Sequence, residues 1–451
     1  MTQNNNEKKK IRVAISGGGL AGASLMHALL AHPHVDAHIF ESGAAFREAG
    51  MAIGITRPAL AALDLMGPSA AACLERAGAV PMRGVRFLVA QGPPDLDCTP
   101  GQVIDEVDYT TSGGQRLTSI VSRAAFLQEL LATVPAERMH ASKKLDKVDD
   151  DDDAAHGLTL HFTDGTTHEC DILIGADGIH SSVRRLVLGP ENAAACEPKN
   201  TGVWIAMTLQ PYAEAQASMG KDLIDTEDAR EHSWVGRGAF ILHNLLSGGQ
   251  LVQFVIAGRD REEDKASWAD KWHKTVPVDD IREMFKDWPA HLTKAVEGLL
   301  CKEPSQPAIY LWEHDPPAPT YVSSSGKMAV MGDAAHATTP WQGSGGGMSI
   351  EDSMVLSALL GRASGPEEAR AALRVYDRVR RPRTQRIVSS SRTTGAILTG
   401  TGRPQVNAEE DTAYYVKEPG TLLRRWDFIL NLDVQGHRDE ALRELASELG
   451  A

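Results

Sequence analysis

The sequence predicts an α/β fold. A parallel-sheet domain, assembled from separated stretches of chain, carries an inserted, mainly antiparallel β-sheet domain and is followed by a C-terminal helical segment. Three observations predict it. Ile11-Arg12-Val13-Ala14-Ile15-Ser16 is a short β-rich run that ends in three glycines, leads into the apolar helix-forming stretch Leu20 to Leu30, and is followed by a second strand, Ala37-His38-Ile39-Phe40-Glu41. A strand, a helix and a strand within about 30 residues have the size of a βαβ unit. Buried-type strands then recur far downstream, at 171–175 and 328–331, each running into a loop that opens a helix. Between about 196 and 320 the texture changes: six of the eight tryptophans (Trp204, Trp234, Trp268, Trp272, Trp288, Trp312) lie there among alternating strand-like segments such as 250–256, which marks a second domain.

Length and composition bound the rest. At roughly 150 residues per domain, 451 residues lead to an expectation of about three domains. An apolar fraction of 42 % supplies a core and excludes general disorder. Lys+Arg is 46 and Asp+Glu 60, so the formal charge is 46 − 60 = −14. That balance argues against a nucleic-acid binder, which needs a basic face to displace counterions. Cys73, Cys98, Cys170, Cys196 and Cys301 are few, odd in number and without a CxxC pair, so reduced thiols are expected, with neither a disulfide framework nor a metal site. No stretch approaches the roughly 20 unbroken apolar residues of a membrane span. Lys8-Lys9-Lys10 before an apolar run imitates a signal peptide, but Arg12 interrupts the run and Gly17-Gly18-Gly19 would break its helix. The expectation is a cytoplasmic protein with a frayed polar tail over 1–10.

Taken in order, 58–65 is Ala- and Leu-rich and predicts a helix, 91–116 is rich in Gly, Pro, Asp and Thr and predicts a loop or an irregular excursion, and 123–134 predicts a helix with Phe126, Leu127, Leu130 and Leu131 on one face. The five acids Asp149 to Asp153 precede the strand-like Leu158–Phe162 and predict a solvated hairpin loop. Helices are expected at 350–360 and 369–383, and the tail from about 400, ending in 439–449, as a separate helical piece. The resulting boundaries are 11–85, 112–195 and 321–398 for the first domain, 86–111 and 196–320 for the inserted one, and 399–451 for the tail.

Three motifs carry chemistry. Gly17-x-Gly19-x-x-Gly22 follows a strand and opens a helix: the first glycine permits the tight turn, the second lets backbone approach a pyrophosphate, and the third lets helix and strand pack closely. Glu41, 19 residues after Gly22 at the end of the second strand, stands where an acid accepts hydrogen bonds from an adenosine ribose. Asp177-Gly178 runs from a strand to a helix that Ser181 or Ser182 would cap, with Arg184 and Arg185 adding positive charge. Gly332-Asp333 closes the strand at 328–331, and Pro340-Trp341-Gln342-Gly343-Ser344-Gly345-Gly346-Gly347 then precedes a helix, a bare-backbone cradle whose N–H groups can hold negative charge.

In order and separation the three motifs resemble those of the group A flavoprotein monooxygenases, the single-component FAD-dependent aromatic hydroxylases, over roughly residues 11–395. Within that family, Gly332-Asp333-Ala334-Ala335-His336-Ala337, Pro340-x-Gln342-Gly343 and Ile350-Glu351-Asp352 resemble the salicylate-hydroxylase-like, fungal-type branch. The resemblance implies a Rossmann-like FAD-binding domain of the GR2/PHBH type. Gly17, Gly19 and Gly22 would face the pyrophosphate of FAD and Glu41 its ribose. Arg47, Met51 and Gly54 would line the flavin edge, with Met51 and Gly54 in the segment Gly50–Gly54, and Arg123 would contact the cofactor. Asp177 would belong to a motif shared by FAD and NAD(P)H binding, and Asp333 would hold the ribityl chain. Pro340, Gly345, Gly346 and Gly347 would lie against the isoalloxazine, with Pro340 and Gly346 beside the reacting flavin. The arginines at 47, 123 and 184 are expected to meet the anionic cofactor. The implied reaction uses NAD(P)H and O₂, through a C4a-hydroperoxyflavin, to hydroxylate an electron-rich aromatic or polycyclic secondary metabolite, in a monomer or homodimer.

Fungal phenol-dearomatising members carry an arginine on one substrate-domain strand and a tyrosine after histidine on the next. Here those stretches are Val203–Thr208 and Leu242-His243-Asn244-Leu245, which hold neither. His243 and Asn244, as possible participants in catalysis, and Trp204 are expected to line the substrate pocket instead, with Trp341 either stacking on an aromatic substrate or packing. Flavin halogenases are disfavoured because no two tryptophans are two apart, and a plain NAD-dependent dehydrogenase leaves 332–347 unexplained. Epoxidation or oxidative dearomatisation on the same scaffold and a non-catalytic FAD-binding protein stand as the alternatives.

Overall fold

A computed structural model describes residues 10–47, 52–92, 96–108, 118–150, 157–402, 409 and 411–450. Its first sheet is parallel and has the order Met328–Val330, Ile172–Gly175, Ile11–Ser16, Val35–Phe40, Met139–His140. The central strands are near-continuous apolar runs because both of their faces are covered; Val13, Ile15, Ile172, Leu173 and Ile174 are fully buried. Helices Leu20–Leu29 and Gly345–Arg362 pack against one another and share the sheet's apolar core. A three-stranded antiparallel sheet, Thr167–Cys170, Leu158–Phe162 and Leu145–Asp150, adds Leu158, Leu160 and Phe162 to that core. Asp149 and Asp150 belong to its last strand rather than to a loop, and Asp150 accepts from Lys327 Nζ at 2.7 Å; Asp151–Asp153 lie outside the described residues.

The second large sheet has eight strands in the order His273–Pro277, Ser305–His314, Pro198–Pro211, Leu251–Arg259, Ala239–Leu246, Arg230–Val235, Gly84–Val89, Val103–Asp108. It is antiparallel except where Arg230–Val235 lies parallel to Gly84–Val89. The expected loop over 91–116 therefore contains a strand, Val103–Asp108, paired antiparallel with Gly84–Val89. Its Val-Ile-Asp-Glu-Val-Asp pattern is short and flanked by loop-forming residues, and pairing with a neighbour that arrives from elsewhere makes it a strand.

Alternation along these strands separates two apolar layers. On one face Val89, Val235, Phe240, Ala257 and Ile205 pack with Met348, Ile387, Ile397 and Trp426. On the other, Trp204, Trp234, Ile241 and Phe254 pack with helices Tyr212–Met219, Val278–Phe285 and Ala290–Ala295.

The tail is not the separate helical piece that its composition predicts. Tyr415, Val416, Leu422, Trp426 and Ile429 belong to the first of these layers, and helix Val434–Leu449 places Val434, Ala441 and Leu445 in the core of the parallel sheet. Leu423 N–H also donates to Asp105 Oδ2 at 2.7 Å. The tail carries apolar stripes, and they are buried because both sheets offer uncovered faces. The helix expected over 369–383 runs on from Pro366 to Leu398, through Pro382.

A buried ionic network joins these layers. Arg380, with no exposed surface, donates to Asp352 Oδ1 (2.8 Å) and Glu351 Oε2 (2.7 Å). Asp352 Oδ2 also takes His336 Nε2 (2.7 Å) and Gly332 N–H (3.1 Å). Arg383 grips Glu351 through both nitrogen ends and donates to the carbonyls of Phe428 and Ile429. Burial alone would raise the Asp352 carboxyl, but His336 and Arg380 pull it well below the ordinary carboxylate range. Removing one member of such a set leaves uncompensated buried charge, which costs about 3–5 kcal/mol. Arg380→Leu is accordingly expected to lower the urea unfolding midpoint by that much stability, and an unchanged midpoint would contradict the role given to the network.

Candidate active site

The site is built from two helix beginnings and one loop. Gly17 has φ +112°, its N–H donates to the Phe40 carbonyl at 2.8 Å, and a Cβ there would collide with the Ala176 carbonyl. A Cβ on Gly22 would overlap the Gly17 carbonyl oxygen. Helix Leu20–Leu29 starts behind Gly19 with no capping side chain and no acid in its first turn. Its first N–H groups are therefore open to an anion, at the end where the helix carries partial positive charge. Glu41 closes this side: its Oε2 accepts from Gly18 N–H (2.8 Å) and its Oε1 from Gly43 N–H (2.6 Å). Two carboxylate oxygens offer about four acceptor sites, so these bonds orient Glu41 and leave capacity for ligand hydroxyls.

The second beginning is helix Gly345–Arg362, again without a capping side chain or a first-turn acid; the Ser344 hydroxyl donates instead to the Gln342 carbonyl at 2.8 Å. Gly332, at φ +56°, brings the two helices together. A Cβ there would stand 2.7 Å from that of Ala21 and 3.0 Å from Ser349 Oγ. Asp333 follows, exposed, as the first residue of the short helix Asp333–His336. Gly346 backs onto Ile53, and a Cβ on Gly347 would stand 3.3 Å from Thr56 Oγ1, so strand Ala52–Thr56, which contains Gly54, borders the cradle. Pro340 is exposed beside it, and Trp341 meets Phe240 edge-on at 5.5 Å between ring centroids.

The structure thus brings Gly17, Gly19, Gly22, Glu41, Gly54, Asp333 and Gly345–Gly347 into one region. Arg47 is exposed beside Phe46, and Arg123 is the first residue of helix Arg123–Leu131. Met51 lies outside the described residues. Asp177 behaves as a helix cap: its carboxylate accepts from Ser181 Oγ and from the N–H groups of Ser182 (2.8 Å) and Val183 (3.2 Å), while Ser181 caps Arg184 N–H.

The expectation that Arg184 meets an anionic cofactor is corrected. Its guanidinium is fully buried and donates to the carbonyls of Ala195, Ala334 and Ala335, each at 2.8 Å. The carbonyls of Ala334 and Ala335 turn inward and need a donor that sequence spacing does not reveal. Burial pulls this guanidinium down to about 10.

The polar residues of the large sheet divide by parity. Met348, in the first turn of helix Gly345–Arg362, packs with Phe240, so the face bearing Phe240 confronts the cradle. Asn244 shares that face; His243 and Trp204 point the other way. His243 Nε2 accepts from Trp234 Nε1 at 3.2 Å, its ring stacks on His232, and burial holds it well below the ordinary histidine value. Trp204 packs against Gly258, with Lys274 Nζ 5.4 Å from its ring centre. Sequence reasoning passed over Glu231 and Gln253, which share the cradle-facing side with Asn244. The signal was the run of four polar residues, Arg230-Glu231-His232-Ser233, inside a strand of the large sheet.

Burial also lowers His168, His232 and His437 to about 4 and His314 to about 3, from 6.5. A histidine whose folded value is depressed takes up protons more readily in the unfolded chain. Its contribution is complete above pH 6.5 and is lost as pH falls toward 4. The urea midpoint is therefore expected to be lower at pH 5 than at pH 7, and a higher midpoint at pH 5 would refute this.

Comparison with known proteins agrees with the geometry. The family described as FAD binding domain matches residues 314–391. A 6-methylsalicylate 1-monooxygenase of Aspergillus terreus is 36 % identical over 390 residues, 85 % of this chain and 82 % of that protein. A salicylate hydroxylase of Pseudomonas putida is 30 % identical over 459 residues, 98 % and 96 % of the two chains. Among solved structures, a salicylate hydroxylase substrate complex superposes with a TM-score of 0.79 at 24 % identity, over 96 % of this chain and 98 % of that one. Klebsiella pneumoniae HpxO complexed with FAD and uric acid gives 0.72 at 22 %, over 98 % and 99 %. Among the described residues no helix is long and apolar enough to cross a membrane, and no group of three or more His, Cys, Asp or Glu is placed to hold a metal ion. Because hydrogen bonds to a charged group are the stronger kind, Glu41→Gln is expected to weaken FAD binding about tenfold, measured by fluorescence titration of the apoprotein. Unchanged affinity would remove Glu41 from the site.

Proposed function

The chain belongs to the FAD-dependent monooxygenases that include the salicylate hydroxylases, and from that membership we propose that it inserts one oxygen atom of O₂ into an electron-rich aromatic or polycyclic small molecule at the expense of NAD(P)H. The observation that supports this reading most is the meeting of two uncapped, glycine-led helix beginnings at Gly332, opposite one face of a large sheet. The residues fit FAD: glycines whose Cβ atoms would collide with neighbours leave bare backbone donors for an anionic, extended ligand, and Glu41 and Asp333 stand ready for hydroxyls. The chemistry that FAD supplies there, when bound, is acceptance of a hydride from NAD(P)H and activation of O₂, whose second oxygen leaves as water.

The chain's own part is binding, orientation and shielding. Amides at Leu20–Gly22 would take the pyrophosphate, Glu41 the ribose and Asp333 the ribityl chain. Amides at Gly345–Gly347, at the positive end of an 18-residue helix, would stabilise negative charge on the reduced ring, with Pro340 against it. Phe240, Leu242 and Trp341 offer apolar surface that keeps water from the reacting substrate. Residues 11–85, 112–195 and 321–398 would hold the cofactor, and 86–111 and 196–320 the substrate. The protein would act in the cytoplasm as a monomer or homodimer.

Purified protein is expected to be yellow, with flavin absorbance, and to oxidise NADH or NADPH faster when members of a panel of hydroxy- and aminoaromatics are added, giving a product one oxygen heavier by mass spectrometry. A colourless protein that takes up no FAD would overturn the reading.

A further inference from the structure

On the cradle-facing side of the large sheet, one cross-strand row runs Val85, Glu231, Asn244, Gln253, Leu209. Asn244 Nδ2 donates to Glu231 Oε2 at 3.3 Å, which leaves Asn244 Oδ1 as an acceptor. Among the described residues that oxygen and Gln253 Oε1 are both enclosed without a hydrogen-bond partner, in residues only 4 % and 7 % exposed. Glu231 is half-buried and forms no ion pair among the described residues. The next two rows toward Trp341, centred on Leu242 and Phe240, contain no lysine, arginine or histidine.

We propose that Glu231, Asn244 and Gln253 orient the substrate, and that they select an aromatic presenting N–H or amino hydrogen-bond donors over an aryl carboxylate. The proposal rests on the monooxygenase reading above and names the substrate class of that same site. A buried acceptor without a partner is costly, and a ligand donor relieves it. A carboxylate at this place would set its own acceptor oxygens against the Glu231 carboxylate and two unpaired acceptors, and among the described residues the adjoining rows supply no cation to share. Burial raises the Glu231 carboxyl above its ordinary value, against the Asn244 bond, so a donor on the ligand also favours its charged form. The Glu231 and Phe240 rows are four residues apart along the strands, about 13 Å at the rise of an extended chain, which accommodates a fused bicyclic ring.

The test is isothermal titration calorimetry on the FAD-loaded protein, with 5-hydroxyindole and 2-aminophenol as donor probes and 1-hydroxy-2-naphthoate and salicylate as their carboxylate counterparts. Each donor probe is expected to bind at least tenfold more tightly than its counterpart. Glu231→Gln and Asn244→Leu should each weaken 5-hydroxyindole at least tenfold, and Glu231→Gln should tighten 1-hydroxy-2-naphthoate. Carboxylates that bind more tightly than donors in the wild type, donors that do not bind, or affinities indifferent to both variants would overturn the proposal. FAD content and NADH oxidation without any probe report separately on the flavoenzyme reading. A yellow, NADH-oxidising protein that prefers carboxylates overturns the donor preference alone, whereas a colourless one overturns the reading beneath it.

Discussion

Arg380 lies at full burial between Glu351 and Asp352 and satisfies both. Asp352 in turn fixes His336 and the N–H of Gly332, and Glu351 passes the constraint through Arg383 to the carbonyls of the tail. Helix Gly345–Arg362, the Gly332 loop, helix Pro366–Leu398 and the segment at 428–429 are thereby held in one geometry. The parallel sheet supplies the platform, but the angle at which the glycine-led helix beginning approaches Gly332 depends on this network. Such a set is a costly way to gain stability, because two carboxylates and two guanidiniums lose water. What it secures is position, in the place where a displacement of about 1 Å would matter most.

The large sheet solves a second problem. A flavin enzyme needs one surface that is apolar and dry, and the sheet's two faces are divided accordingly. The face under helices Tyr212–Met219 and Ala290–Ala295 collects Trp204, Trp234 and His243 into a core. The face toward the cradle keeps Leu242 half-covered and carries the polar row at Glu231. The tail takes part in this division, since Trp426 meets Phe87 at 5.6 Å on that same face.

The glycine-led helix beginnings and the acid after the second strand were legible in the chain because their geometry is local. Gly17, Gly19 and Gly22 are where side chains would collide with backbone a few residues away, and Glu41 follows at the end of the next strand. The polar residues of the large sheet were not legible to the same degree. His243 and Asn244 are adjacent, and only the pairing register decides that one faces the cradle and the other a tryptophan. Arg184 shows the same limit: its charge near a cofactor motif suggested an anion, whereas its partners are three carbonyls, two of them 150 and 151 residues away.

By itself the sequence determined the α/β class, the glycine loops, the acid after the second strand and the membership that these motifs announce, because each follows from steric and electrostatic demands within a short stretch of backbone. The tertiary structure alone decided which face each strand residue occupies, that Val103–Asp108 is a strand, that helix Pro366–Leu398 continues through Pro382, and that the tail closes both cores. Those outcomes depend on partners distant in the chain. Burial of apolar area and satisfaction of buried charge are properties of the assembled layers, and a short window of sequence holds only one side of each contact.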